Sequence, residues 1–310
     1  MTDISPHARL DFRATKVIAW MFGALASFML AAVSIRELSK SLNVFEINVC
    51  RTGGGLIVLI AALSVSKPRR SGLSAIDIPK HLFRNVVHAA GGFFWTLAIS
   101  ALPLATVFSL EFTAPAWTAL MSLSVLGERV RTSVVIGLIA SFVGTLIILR
   151  PAPGSFDAMA IFPLAAGMCL GLSALLTRRL TRNFEIFTIL FWMMVIQLTI
   201  NTVGVFVFGY TPMFNGNIPE RAVIAAIILA LAGLSSQLCL SNALKIGEAN
   251  MVMPLDFLRV PLIAGIGAVF YDEPFDCWVM VGAAVIAAGI VVGLPRSGAP
   301  RLAAPQPGVS

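Results

Sequence analysis

Residues 103–149 read PLATVFSLEFTAPAWTALMSLSVLGERVRTSVVIGLIASFVGTLIIL. The chain contains this stretch twice. Leu110-Glu111-Phe112, Glu128, Gly137 and Gly144 return 145 positions later as Leu255-Asp256-Phe257, Glu273, Gly282 and Gly289. In each copy one carboxylate, Glu111 or Asp256, stands inside a run otherwise apolar enough for lipid. An ionisable residue in hydrocarbon is expensive, and its presence points to function. A weaker echo lies upstream, where Phe45-Glu46-Ile47 returns as Phe184-Glu185-Ile186 at an offset of 139, so the halves differ by small insertions. An internal repeat on this scale governs the fold more than any single element does.

Of the 310 residues, 58% are hydrophobic and 12% charged, and the mean hydropathy is +0.90. A soluble domain carries about 25% charged residues, so the chain reads as an all-α polytopic membrane protein. A bilayer core asks for about 20 apolar residues per helix. That length predicts ten spans at 16–35, 43–65, 82–101, 105–126, 131–149, 157–177, 186–209, 221–243, 248–270 and 275–294. Five spans per half is an odd number, so the second half must cross in the opposite sense. The expected architecture is ten transmembrane helices in two inverted five-helix repeats, with a site near the midplane where the repeats meet. The parts are an N-terminal tail (1–15), a first repeat (16–149), a linker (150–156), a second repeat (157–294) and a C-terminal tail (295–310) that reads as disordered. The polar tail Met1 to Thr15 does not resemble a cleavable signal peptide.

The net charge is +7, but the basic residues lie in short loops rather than in a patch suited to nucleic acid. With the N-terminus in the cytoplasm, 16 Lys and Arg residues fall inside and four (Arg36, Lys40, Arg150, Arg221) fall outside. This bias predicts that both termini face the cytoplasm of a bacterial-type inner membrane. Arg51 and Arg259 fall within spans. The four cysteines, Cys50, Cys169, Cys239 and Cys277, have no metal or CxxC spacing and read as small packing residues. No nucleotide-binding loop, HExxH or catalytic triad pattern is visible, so neither a cofactor nor a metal is expected. An intramembrane enzyme and a non-transporting scaffold are the rivals. The first lacks a nucleophile with a base, and the second would normally carry a larger soluble part.

These residues resemble a known family. Two five-helix halves, each ending in an acidic turn and a glycine-spaced helix, are similar to the EamA group of the drug/metabolite transporter superfamily. The resemblance rests on Leu126-Gly127-Glu128-Arg129 with Gly137 and Gly144, and on Tyr271-Asp272-Glu273-Pro274 with Gly282 and Gly289. Arg51 and the pairs Ala101-Leu102 and Ala243-Leu244 match too. Asp272 departs from the pattern where the first copy has Gly127, which puts the geometry of that turn in question. The resemblance implies a central cavity, alternating access and transport of small organic metabolites.

The candidate substrate-binding residues are Glu111, Asp256, Arg259, Arg51, Phe112, Phe257, Trp95 and Trp117. Asp256 and Arg259 are three apart and can pair on one helix face. Arg51 can do the same for Glu111 if the second and fourth helices meet. A structural ion pair between helices is the plain alternative to a charged substrate lining. The aromatics can stack on a flat or cationic solute or simply pack. Glu128 and Glu273 read as structural turn residues whose carboxylates suit a helix start. His81 reads as interfacial, and His88 has no evident partner. Pro103, Pro115, Pro254 and Pro261, in or near spans three, four and nine, mark kinks that either gate a cavity or serve packing alone. Opposite charges near the midplane favour a zwitterionic or amphoteric solute, such as an amino acid. A nucleotide-derived metabolite or vitamin, of S-adenosylmethionine or riboflavin type, is the alternative. Protons are a candidate coupling ion, and the glycine-rich faces suit internal packing as well as dimers, leaving the oligomeric state open.

Overall fold

The computed structural model describes residues 6–65, 78–126, 132–150, 157–180, 183–208, 219–246, 255–256 and 258–293. The described chain is α-helical: α1 (Pro6–Leu38), α2 (Val44–Val65), α3 (Ile78–Ala101), α4 (Leu104–Glu111), α5 (Ala114–Leu126), α6 (Thr132–Leu149), α7 (Ile161–Leu180), α8 (Ile186–Phe208), α9 (Glu220–Ile246), α10 (Arg259–Tyr271) and α11 (Cys277–Gly293). Among the described residues, five segments are long and apolar enough to cross a bilayer: Thr15–Leu38, Val44–Ala61, Ala158–Thr177, Thr188–Phe208 and Glu220–Leu240. The chain is therefore a multi-pass membrane protein.

The echoed Phe-Glu-Ile motif is a helix start in both halves. Asn43 caps α2, accepting the Glu46 N–H at 3.0 Å, while Glu46 Oε2 accepts the Asn43 N–H at 2.9 Å. That reciprocal capping box satisfies two donors that a helix end leaves open. Phe184 and Glu185 lead directly into α8.

The fourth span, expected to be continuous over 105–126, is broken. α4 ends at Glu111, Phe112 and Thr113 form a turn, and α5 starts at Ala114. The Leu110 carbonyl accepts both the Thr113 N–H at 3.1 Å and the Thr113 hydroxyl at 2.7 Å, which closes the turn. The ninth span behaves alike: Leu255 and Asp256 are helical, Leu258 is a turn residue, and α10 begins at Arg259. Ala114 and Arg259 are themselves 145 apart, so the repeat extends to its interruptions. The kink expectation changes accordingly. Pro115 and Pro261 sit in the first turns of α5 and α10, where a missing N–H costs nothing. They mark restarts after a break; Pro254 lies outside the described residues.

Packing follows the small residues. α1 lies along α9, α3 along α7, α2 along α8 and α9, and α6 along α11. Gly53 and Gly55 face Leu198 and Met194 of α8, and Gly54 faces Ala230 of α9, so this cluster serves internal packing. The duplicated glycines meet each other. A Cβ at Gly144 would stand 2.6 Å from the Gly282 carbonyl, and one at Gly289 would stand 2.9 Å from that of Gly137. Residue numbers rise on one helix as they fall on the other, so α6 and α11 run antiparallel. Gly144→Leu is expected to lower stability by about 1–3 kcal/mol through overpacking. Thermal unfolding in detergent checks this, and an unchanged midpoint would contradict so close an approach.

The main buried core lies toward the α1 C-terminal end. It joins Ile35 and Leu38 of α1, Ile99 of α3, Leu104, Val107 and Phe108 of α4, Leu229 of α9, Ile263 of α10 and Ile286 of α11.

Candidate functional site

Both helix breaks deliver a carboxylate to one place. The Arg259 guanidinium lies between them: its Nη2 donates to Asp256 Oδ2 at 2.5 Å, and its Nη1 stands 3.9 Å from Glu111 Oε1. The expected Asp256–Arg259 pair therefore forms. The guanidinium also covers aromatic faces, 4.2 Å from the Phe28 centroid and 4.8 Å from that of Phe112. A cation in the first turn of a helix is opposed by the helix dipole, so Arg259 depends on these carboxylates and rings. Asp256 Oδ1 and Arg259 Nη1 have no hydrogen-bond partner among the described residues.

Glu111 is held from its other side. The Trp95 indole N–H donates to Glu111 Oε2 at 2.7 Å, and the Trp95 ring meets Phe108 edge-on. The interrupted backbone fits because α7 offers glycines to it: a Cβ at Gly167 would stand 3.1 Å from the Glu111 carbonyl, and one at Gly171 2.7 Å from that of Ala114.

A cleft opens beside Glu111. Phe28 and Ala31 of α1, Arg51 and Thr52 of α2, and His88, Gly92 and Trp95 of α3 line it. Met193, Met194 and Gln197 of α8 and Gly233, Ser236 and Gln237 of α9 line it as well. Arg51 is not the partner of Glu111 that the sequence predicts; Arg259 takes that place because the break in the ninth span brings it there. Instead, Arg51 runs between two glycines. A Cβ at Gly92 would stand 2.5 Å from its Nη2, and one at Gly233 3.1 Å from its Cγ. Among the described residues nothing forms a hydrogen bond or ion pair with the Arg51 guanidinium. The Gln197 amide nitrogen is likewise buried without an acceptor among them.

The other sequence candidates fall as follows. Trp117 donates to Thr113 Oγ1 at 3.2 Å, at the turn rather than in the cleft lining. Phe257 and Glu128 lie outside the described residues. His88 has a partner after all, Ser173 Oγ at 3.0 Å. His81, in the first turn of α3, is 3% exposed and edge-on to Phe184.

Glu273 does reach a helix start, but in the other half: its Oε2 accepts the Leu104 N–H of α4 at 2.8 Å, and its Oε1 accepts from Arg36 at 2.8 Å. The start of α11 is served by Asp276, which accepts the Trp278 N–H at 2.9 Å. Asp272 adopts φ 51° and ψ 28°, the left-handed conformation that glycine takes most easily and that aspartate tolerates.

Sequence reading missed Phe28, Gln197 and Gln237. The two glutamines carried a signal, as polar amides inside apolar spans; Phe28, in a uniformly apolar helix, carried none.

Comparison with known proteins places the chain among membrane transporters. The model of the EamA-like transporter family matches residues 15–150 and again 158–294. The chain is 30% identical over 222 residues to a riboflavin transporter of Rhizobium johnstonii, covering 70% of this chain and 72% of that one. It is 24% identical over 271 residues to the pseudopaline exporter CntI of Pseudomonas aeruginosa, covering 86% and 92%. It is 22% identical over 270 residues to an S-adenosylmethionine uptake transporter of Rickettsia bellii, covering 87% and 90%. One solved crystal structure superposes with a TM-score of 0.62 at 15% identity, covering 90% of this chain and 96% of that one, which shows a shared fold.

Proposed function

Because the chain belongs to the EamA-like transporter family, and so is a carrier rather than an enzyme, we propose that it moves a small zwitterionic or amphoteric metabolite, such as an amino acid. The observation behind this reading is the division of polar demand around the cleft. From α2 and α8 come two donors that no acceptor meets among the described residues, the Arg51 guanidinium and the Gln197 amide. On the α4 side stands Glu111, whose Oε1 is 3.9 Å from Arg259 while its Oε2 is already bonded to Trp95. A solute with an anionic and a cationic end meets both demands. Trp95 and Phe28 supply apolar walls between them.

The carrier works by alternating access of two inverted five-helix repeats, with ten spans and both termini in the cytoplasm of a bacterial inner membrane. The antiparallel meeting of α6 and α11 through their duplicated glycines supports the inversion. The interruptions after Glu111 and Asp256 suit it as well, since discontinuous helices are how such carriers place polar groups at the midplane. The proton gradient or the solute's own gradient supplies the energy.

A second reading is uptake of a vitamin or nucleotide-derived solute, as the relatives named for riboflavin and S-adenosylmethionine illustrate. The aromatic rings about Arg259 favour it. A thermal-stability screen separates the two, since a ligand at 100 times its dissociation constant stabilises the folded state by about 2.7 kcal/mol. The panel is amino acids, polyamines, nucleotides, riboflavin and S-adenosylmethionine. Amino acids are expected to stabilise the unaltered chain but neither Arg51→Gln nor Glu111→Gln. Stabilisation by riboflavin alone, kept in both variants, would replace the zwitterion reading with the vitamin reading. A blank panel would remove the charged-cleft account.

A further inference from the structure

We propose that Glu273 is a positioning residue for the cleft. From the loop before α11 it fixes the start of α4, and with Arg36 it seals the end of the cleft nearest that loop.

α4 needs such help. It begins after Pro103, which has no side-chain cap to offer, so the first N–H of the helix would stay open. Glu273 Oε2 takes it at 2.8 Å from the opposite half of the chain. Its other oxygen accepts from Arg36 Nη2 at 2.8 Å, and that same nitrogen donates to the Leu102 carbonyl at 2.5 Å. One carboxylate thus joins α1, the link between α3 and α4, and the loop between α10 and α11. The loop is shaped for this. The Glu273 N–H donates to the Gly267 carbonyl at 3.1 Å, and a Cβ at Gly267 would collide with the Glu273 carboxylate. A second tie lies beside it, where the Tyr271 hydroxyl donates to Glu37 Oε1 at 3.0 Å.

The consequence reaches Glu111. α4 is eight residues long, a rod of about 10 Å with Leu104 at the held end and Glu111 at the cleft. Between them its buried face, Leu104, Val107, Phe108 and Leu110, sits in the main core with Ile35 and Ile99. Releasing Glu273 frees the rod and loosens the apolar plug, so a change at the loop arrives at the Glu111 carboxylate. The inference rests on alternating access, but it does not rest on any choice of solute.

The test reads accessibility, not flux. In the full chain, Cys50, Cys169 and Cys239 are replaced by alanine, and the exposed Cys277 is kept to report the loop side of the membrane. A cysteine is placed at the cleft-lining Ala31, which is 3% exposed. Vesicles of both orientations receive a membrane-impermeant maleimide. With Glu273 intact, Ala31→Cys is expected to be protected from the side on which Cys277 reacts. Glu273→Ala should raise its labelling rate from that side by about tenfold or more, the shift that loss of a charge-assisted bond gives a two-state equilibrium. Glu273→Gln keeps an acceptor for Leu104 but loses the ion pair, and should give a smaller rise. Arg36→Lys keeps a cation for Glu273 and a donor for the Leu102 carbonyl, and should keep protection. Should Glu273→Ala fail to fold, Arg36→Gln replaces it, leaving α4 capped while breaking the seal. Unchanged labelling in these variants would overturn the proposal. So would reaction of Ala31→Cys from the Cys277 side with Glu273 intact, or loss of protection in Arg36→Lys. A merely structural Glu273 would lower the melting point without a sided change in labelling.

Discussion

Arg259→Met is expected to destabilise the protein by about 3–5 kcal/mol, the range for removing one partner of a buried ion pair. Arg259 is 8% exposed at its side chain, and two carboxylates depend on it: Asp256 at 2.5 Å and Glu111 at 3.9 Å. Without it both carboxylates face each other uncompensated in a site walled by Phe28, Phe108 and Phe112. Arg259→Lys should recover only part of the loss, since an ammonium lacks the planar fork and the stacking face. The decisive comparison adds Asp256→Asn to Arg259→Met. An amide in place of the Asp256 carboxylate has no charge to neutralise, so the double variant should be more stable than Arg259→Met alone. Chemical unfolding in detergent measures all three. Additive losses would mean that the pair is not coupled.

Glu111→Gln and Asp256→Asn are each expected to reduce transport by roughly 10- to 100-fold, the value of a hydrogen bond to a charged group expressed as a rate. Insertion should be preserved, because a neutral amide is less costly in hydrocarbon than a carboxylate. The two should differ in stability. Glu111→Gln keeps an oxygen for the Trp95 N–H and leaves Arg259 its 2.5 Å partner, so its midpoint should barely move. Asp256→Asn strips Arg259 of that charged partner and should lower it. Counterflow in proteoliposomes, using whichever solute stabilises the purified protein, reads the first effect. Full transport by both variants would make the cluster a structural ion pair between helices.

How much of this was legible beforehand varies residue by residue. The duplicated acids, glycines and turn motif could be read because each was an exception inside an apolar run, and exceptions survive without a structure. The Asp256–Arg259 pair followed from three-residue spacing alone. The breaks did not follow, since Phe112 and Thr113 are as apolar or neutral as their neighbours and hydropathy runs straight across them. Missing the breaks also misplaced Arg51. Continuous helices make it the natural partner of Glu111, whereas the second break carries Arg259 to that position. Glu273 was recognisable as a carboxylate near a helix start, but the start it serves lies 169 residues away in sequence. No local pattern encodes such a distance.

The α6–α11 contact has one more implication. Gly137 meets Gly289 and Gly144 meets Gly282, so each position touches the counterpart of the other. That reciprocity defines an isologous interface, the kind two identical subunits form about a twofold axis. The surface would therefore serve equally well between two separate half-length chains inserted in opposite senses. Fusion into one chain removes the entropy of finding a partner without requiring a new contact. It also binds the halves to the same constraint: a side chain at any of these glycines meets the backbone of the other helix, so no change at the facing glycine can make room for it.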